Sequence, residues 1–365
     1  MSGVLRVRGG VGRWVLGALV VAGCGGGRAG EGSGADAMAD AMLSDAMVSD
    51  AMVSDAMVSD AMVSDAMVSD AMDAMDGTAD AMADAIVDAT APDAGRPPPL
   101  PYAEHPLLGP GPLVIAHRGG RRLAPENTLP AFEAALAAGA DVLEMDIHAT
   151  ADGALVVMHD HTVDRTTDGM GEIAALTLEE IRALDAGYGF SPDRGETFPW
   201  RGRGVRVPTF DEVLAAFPAV PLTVEIKPTD PAVVPLVVAA LDRAEARGRV
   251  AIGALDAAVM RAFRAAAPDV ATGMALPEVV AWITLPPGPM ARPWAPPGHV
   301  FQVPMAQAGF ELVTAATVAH AHRHGVVMHV WTINDAETMG ALLDLGVDGI
   351  MTDDPALLRA VVDGR

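Results

Sequence analysis

Short, continuously apolar runs recur along the second part of the chain, at Leu113–Ala116, Val142–His148, Leu222–Ile226, Val250–Gly253, Ala271–Ala275, Val300–Val303, Val327–Thr332 and Gly349–Thr352. Runs of this length without polar alternation mark strands buried on both faces. Amphipathic segments with helical spacing fit between most of them, at Thr128–Ala138, Thr209–Phe217, Ala232–Arg247, Ala257–Ala266, Pro277–Thr284, Thr314–His324 and Ala336–Leu345. Eight strand–helix units within roughly 250 residues predict an α/β fold, a (βα)8 TIM barrel. One further apolar run, Ala154–His159, breaks the alternation. It follows its predecessor through Ala151-Asp152-Gly153, and so tight a turn joins antiparallel neighbours, because a parallel crossover needs a dozen or more residues. We therefore expect a hairpin over 142–159 that adds one strand outside the barrel.

The first hundred residues carry a different pattern. Arg6, Arg8 and Arg13 precede a short apolar core, Trp14 to Ala22, and then Val21-Ala22-Gly23-Cys24. The core is too short to span a bilayer and has the flanks of a cleavable export signal. Its last four residues resemble the bacterial lipobox, in which the cysteine is diacylated and becomes the new N-terminus. Residues 1–24 are thus expected to be a lipoprotein signal peptide. Acyl chains on Cys24 would anchor the protein, since each buried CH₂ is worth about 0.8 kcal/mol. The expected location is the bacterial cell envelope, on the periplasmic side of the outer membrane or at the cell surface.

From Gly25 to Pro101 the chain is low-complexity. The pentad Ser-Asp-Ala-Met-Val recurs without interruption from Ser44 to Val68 and continues in degenerate form to Asp93. A step of five residues winds the Met around a helix and flips it across a strand, so neither geometry collects an apolar face. Between Glu31 and Ala94 there are fourteen Asp, one Glu and no Lys or Arg, a charge of −15. The expectation for 25–101 is a disordered acidic linker, averaging roughly 50 Å end to end as a coil. Calcium binding by the repeat is disfavoured, because Asp at every fifth position lacks the closer ligand spacing of known loops. The folded part is then one domain, 102–365.

Composition narrows the chemistry. The 365 residues hold one Cys, 24 Lys+Arg and 48 Asp+Glu, for a formal charge of −24. One cysteine excludes a disulfide framework and any Cys-based metal site. The negative charge argues against sequence-independent nucleic-acid binding, which comes from neutralising phosphates.

Barrel chemistry belongs at the C-terminal strand ends, and polar residues concentrate there: His117-Arg118-Gly119, Glu144 and Asp146, His159-Asp160, Glu225 and Lys227, Trp331 and Asn334, and Asp353-Asp354. Residues i and i+2 of a strand face the same way, so Glu144 shares a face with Asp146, and Glu225 with Lys227. Three carboxylates from neighbouring strands repel one another, and a hard divalent cation such as Ca²⁺ or Mg²⁺ relieves that repulsion with oxygen ligands. The alternative is an ion-pair network with Arg118 and Lys227. Two histidines, His117 and His159, can divide general-acid and general-base work near neutrality. Arg118 and Lys227 can hold a phosphoryl oxygen. His320, His322 and His324 read as a cationic helix end rather than a metal site. Glu179-Glu180 and the Pro286–Pro297 loop read as solvated surface and connection.

These motifs, together with Pro125-Glu126-Asn127-Thr128, Val156-Val157-Met158-His159-Asp160, Arg165-Thr166-Thr167 with Gly169 and Gly171, Val330-Trp331-Thr332-Ile333-Asn334 and Gly349-Ile350-Met351-Thr352-Asp353, resemble those of the glycerophosphodiester phosphodiesterase family, in family order. The resemblance implies a (βα)8 barrel with the architecture of phosphatidylinositol-specific phospholipase C. It implies Glu144, Asp146 and Glu225 as metal ligands, His117 and His159 as the acid/base pair, and Arg118 and Lys227 as phosphate-binding residues. It places Glu126 and Asn127 on a loop near the metal, and Asn127 and Trp331 at the substrate side, where core packing is the competing role for Trp331.

The implied reaction is metal-dependent hydrolysis of a glycerophosphodiester to glycerol 3-phosphate and an alcohol. The attacking oxygen is water or the glycerol 2-hydroxyl, and the sequence chooses neither. Two alternatives stand beside it: a lysophospholipase D-type lipid phosphodiesterase with a wide apolar mouth around Trp200 and Trp331, and a non-catalytic surface lipoprotein. The segment Gly187–Gly204, with Tyr188, Phe190, Phe198 and Trp200, is expected to wall the site. Headgroup preference and oligomeric state are left open.

Overall fold

The computed structural model of the chain describes residues 105–109, 111–284, 296–307 and 310–365. The export signal, Cys24 and the acidic repeat lie outside the described residues, as do 285–295 of the proline-rich loop. No helix among the described residues is long and apolar enough to cross a membrane.

Eight parallel strands form a nearly closed barrel: β1 (Leu113–Ala116), β2 (Val142–Ala149), β4 (Leu222–Ile226), β5 (Val250–Gly253), β6 (Ala271–Thr272), β7 (Val300–Pro304), β10 (Val327–Trp331) and β11 (Gly349–Thr352). The order around the sheet is β6-β5-β4-β2-β1-β11-β10-β7. As expected, β3 (Leu155–Val157) folds back antiparallel on β2, pairing Ile147 with Val157 and Ala149 with Leu155. Gly153 (φ 81) supplies the left-handed residue that the turn needs.

β6 is shorter than the apolar run 271–275. Beyond it, Gly298 packs so close to the Gly273 carbonyl that a Cβ there would sit 2.5 Å from its oxygen. At that seam His299 substitutes for ladder bonds. Its N–H donates to Thr272 O (2.7 Å), and its Nδ1 accepts from Thr272 N (3.1 Å).

The outer layer holds α1 (Leu129–Ala137), α2 (Leu178–Arg182), α3 (Phe210–Ala216), α4 (Val234–Arg243), α5 (Ala257–Ala266), α6 (Leu276–Thr284), α7 (Ala315–Arg323), α8 (Ala336–Leu345) and α9 (Pro355–Asp363). The expected helix 232–247 is broken, with 3-10 turns at Pro231–Val233 and Arg247–Arg249 flanking α4 and Glu245 turned to φ 49. α2, α9 and the small hairpin β8 (Ala306–Gln307) with β9 (Phe310–Glu311) were not foreseen. Glu179 and Glu180 are exposed, as expected. Glu180 also closes a capping box with Thr177 at the start of α2.

Phe132, Phe210, Phe263 and Phe301 are fully buried, each worth roughly 1.5–3 kcal/mol of burial. Inside the barrel, Ile115, Val142, Ala251, Ala271, Val300, Val327 and Met351 meet in one cluster with Leu107 and Leu108. Further along the same faces the residues become polar: His117 after Ile115, Glu144 and Asp146 after Val142, His329 after Val327, Asp353 after Met351. The floor is therefore an apolar plug and the C-terminal mouth a charged one. His320 and His324 pack on Trp282, with ring centroids 4.4 and 5.6 Å away. His322 pairs with Asp348 at 2.8 Å.

Candidate active site

The mouth is assembled from loops in unusual backbone conformations. After β1 the chain makes a tight turn in which Arg118 (φ 52), Gly119 (φ 80) and Gly120 (φ 74) are all left-handed. Asn127 (φ 57) is too, and its N–H donates to the Arg118 carbonyl at 2.9 Å. For non-glycine residues this conformation costs energy and persists where surrounding contacts impose it. Here they do. Arg118 N–H donates to Glu144 Oε2 (2.6 Å), and Asn127 Nδ2 donates to Asp146 Oδ2 (3.0 Å).

Asp146 is the hub. Lys227 Nζ lies 3.1 Å from Asp146 Oδ1 and 3.1 Å from Glu225 Oε2, and Arg118 Nε lies 3.7 Å from Asp146 Oδ2. The register pairs Asp146 with Glu225 across β2 and β4. Burial would raise the Asp146 carboxyl. The charges of Lys227, Arg118 and His159, with the Asn127 hydrogen bond, instead hold it well below the usual carboxylate range. Glu144 goes the other way: burial first, then the Asp146 charge, push it well above its ordinary value, with Glu225 adding to the push. Lys227 is raised, because Asp146 and Glu225 outweigh burial.

Each histidine is oriented by an acid. His117 Nδ1 is 2.7 Å from Asp353 Oδ1. Asp353 Oδ2 also accepts from Asn334 Nδ2 (2.8 Å) and pairs with Arg121 Nε (2.9 Å). Burial would raise Asp353, but the His117 bond and the His117 and Arg121 charges bring it down to about 2. His117 itself is lowered, burial outweighing Asp353. His159 Nδ1 is 2.8 Å from Asp160 Oδ1, and its carbonyl is held by His148 Nε2 at 3.1 Å. His159 Nε2 and Asn127 Oδ1 are buried without a hydrogen-bond partner among the described residues. Both residues line a cavity of about 10 Å³, shared with Glu126, Thr128 and Thr166, about the size of one water.

The structure thus brings His117, Arg118, Asn127, Glu144, Asp146, His159, Glu225 and Lys227 to one mouth. Trp331 is half-buried against the inner core. Trp200 packs over Val156, Met158 and their neighbours outside the barrel, so an apolar mouth around these two tryptophans is not formed by them. Of the two expectations for the carboxylates, the ion-pair network is present. Among the described residues, no three His, Cys, Asp or Glu side chains are gathered as a metal would hold them.

Sequence reasoning assigned no role to Asp160, Asp353, Arg165 or Asn334. The signals were an Asp directly after His159 and the Asp353-Asp354 pair. Adjacent residues face apart, so Asp353 meets His117 while Asp354 caps α9.

A model of the glycerophosphoryl diester phosphodiesterase family matches residues 117–357. The chain belongs to that family. A glycerophosphodiester phosphodiesterase of Caldanaerobacter subterraneus subsp. tengcongensis is 34% identical over 255 residues, covering 68% of this chain and 97% of the relative. One from Bacillus subtilis is 31% identical over 267 residues, covering 69% and 87%. The crystal structure of a glycerophosphodiester phosphodiesterase from Agrobacterium tumefaciens superposes with a TM-score of 0.54 at 27% identity, covering 67% of this chain and 98% of that one. The barrel is therefore a glycerophosphodiester phosphodiesterase, a phosphoric diester hydrolase.

Proposed function

We propose that this enzyme hydrolyses glycerophosphodiesters to glycerol 3-phosphate and an alcohol, with His117 and His159 as the acid/base pair and a divalent cation, Ca²⁺ or Mg²⁺, on Glu144, Asp146 and Glu225. The observation that carries the reading is the matched pair of histidine–carboxylate contacts. Both acids are held ionised, and an ionised carboxylate only accepts. Each Nδ1 is therefore the donor, and each Nε2 is the nitrogen left for proton transfer. Arg118 and Lys227 supply positive charge to the phosphoryl oxygens. One imidazole takes the proton of the attacking oxygen, either water or the glycerol 2-hydroxyl; in the second case a cyclic phosphate forms, which water then opens to glycerol 3-phosphate. The other gives a proton to the departing alkoxide, so the diester P–O bond breaks as the new one forms.

The residues suit a hard cation. They are three oxygen donors on adjoining strands, and Glu144, raised first by burial and then by the Asp146 charge, is a carboxyl that a bound cation would favour in its ionised form. Bound there, a divalent ion would offset charge developing on the phosphoryl oxygens. The test is a glycerophosphodiester panel assayed with His117→Ala and His159→Ala. Both variants should lose hydrolysis while remaining folded; wild-type turnover in either overturns the assignment. Faster turnover of lysophosphatidylcholine than of glycerophosphocholine would move the activity to the lysophospholipase D class.

The lipobox-like Val21-Ala22-Gly23-Cys24 supports export and anchoring through a diacylated Cys24 at the bacterial envelope. Cys24→Ser should release the protein from the membrane fraction, and retention there would refute the anchor.

A further inference from the structure

We infer that Arg165 is a positioning residue that ties the two working halves of the mouth together; this rests on the proposed roles of His159 and Arg118. Arg165 lies on the loop after β3. One edge of its guanidinium grips Asp160, with Nε to Oδ2 at 2.7 Å and Nη2 to Oδ1 at 3.1 Å. The other edge grips Glu126, with Nη1 to Oε2 at 2.9 Å and Nη2 to Oε1 at 2.7 Å. Both carboxylates have a second duty. Asp160 Oδ1 is the oxygen that orients His159 Nδ1. Glu126 Oε1 accepts from Arg118 Nη1 at 3.0 Å. An unbroken chain of charge-assisted bonds therefore runs His159–Asp160–Arg165–Glu126–Arg118, from a proton-transfer group to a phosphate-binding one.

Only a planar fork can serve two carboxylates edge-on at once, and a lysine ammonium has no such geometry. Four of the five guanidinium hydrogens are used in these bonds, so Arg165 acts through its partners and not on substrate. It holds both acids ionised. Glu126 would rise with burial but is held well below its ordinary value by Arg118 first and by Arg165. Asp160 would likewise rise with burial but is lowered by His159 and Arg165. Remove Arg165, and His159 loses the anchor of its orienting acid. Glu126, left with a single cation, draws harder on Arg118 and withdraws it from the phosphate.

The backbone here does not depend on the side chain. Val163 N–H donates to Gly171 O (3.0 Å) and Thr167 N–H to Val163 O (3.2 Å). Gly189 packs against the Arg165 carbonyl so closely that a Cβ would sit 2.4 Å from it. Arg165 variants should therefore fold.

The experiment is steady-state hydrolysis of glycerophosphocholine by the full chain carrying Arg165→Gln, Arg165→Lys, Asp160→Asn, Glu126→Gln and the two Arg165→Gln double variants. Arg165→Gln should lower kcat by about 10–100-fold and raise KM, with little change in Tm. Arg165→Lys should recover little of either. In the Asp160→Asn background, Arg165→Gln should no longer lower kcat but should still raise KM. In the Glu126→Gln background the pattern should reverse. Full kcat in Arg165→Gln, or an undiminished kcat loss on top of Asp160→Asn, overturns the inference. His159→Ala serves as the separate control: activity there defeats the acid/base reading itself, whereas an inactive His159→Ala beside a fully active Arg165→Gln defeats only the positioning role.

Discussion

His117 Nδ1 and Asp353 Oδ1 meet at 2.7 Å across 236 residues of chain. They meet because β1 and β11 run parallel in a register that sets Ala116 beside Thr352, which makes the next residue of each strand a neighbour. The first and last strands of the barrel thus build one half of the proposed acid/base pair.

This pairing predicts the behaviour of Asp353→Asn. The amide matches the shape but can present an N–H to Nδ1 and so favour the wrong tautomer. By analogy with other histidine–aspartate pairs, kcat should fall by about 10²–10⁴-fold. Fluorescence or circular-dichroism melting should show a folded protein, since Asn334 and the strand ladder remain. A kcat within threefold of wild type would show that Asp353 does not set the His117 tautomer.

Gly119 makes a sharper structural prediction. It sits at φ +80, and a Cβ would lie 2.8 Å from Phe132 Cδ1 and 3.0 Å from the Ala131 Cβ. Gly119→Ala combines a left-handed alanine with overpacking against a buried ring, so a loss of roughly 2–4 kcal/mol is expected. Urea denaturation reads it directly. Because the same turn places Arg118, KM for a glycerophosphodiester should rise with it. Unchanged stability would mean that α1 yields easily, against the complete burial of Phe132.

Much of this site was legible in the chain because strands repeat every two residues. Glu144 with Asp146, and Glu225 with Lys227, could be put on common faces without coordinates, and the short apolar runs counted out the barrel. Closure contacts were not legible. Nothing local to His117 points to Asp353, and nothing local to Glu126 points to Arg165, 39 residues on. Nor was the close approach of Gly298 to Gly273 just past β6 legible, a tertiary contact between residues 25 positions apart. α9 could have been seen, because Asp354-Pro355 is a strong start signal, an N-cap residue followed by proline in the first turn. The cationic reading changes for one of the three histidines at the end of α7: burial, and then the neighbouring His324 and Arg323 charges, depress His320, which packs on Trp282.

Metal removal tests the carboxylate trio. Glu144 is elevated by burial and by the negative charges of Asp146 and Glu225, so a bound divalent cation should hold it ionised and release a proton on binding. Exhaustive chelation should abolish turnover, and added Ca²⁺ or Mg²⁺ should restore it. Calorimetric titration of the ion in two buffers of different ionisation enthalpy should show that proton release. Full turnover by protein shown to be metal-free would remove the cation from the reaction.

The most direct pH prediction concerns His329, which lies in the barrel interior and is completely buried. Neither ring nitrogen has a hydrogen-bond partner among the described residues, and burial lowers its pKa from 6.5 to about 4. Between those values the unfolded chain binds a proton that the folded chain refuses. The sign follows: stability is full above about pH 6.5 and falls as the pH drops towards 4, by up to about 3 kcal/mol from this one group. His329→Leu removes the titration and the two unsatisfied polar atoms, and its similar volume suits the tight space beside Gly349, where a Cβ would lie 2.9 Å from His329 Cδ2. The variant should be at least as stable as wild type at pH 7, and its advantage should widen steadily from pH 6.5 to 4. His117 and His148, also lowered by burial, titrate in both proteins and cancel from the difference. Urea unfolding at half-unit pH steps measures it. Parallel curves for the two proteins would mean that His329 keeps an ordinary pKa in the folded barrel, and with it a partner for its protonated ring.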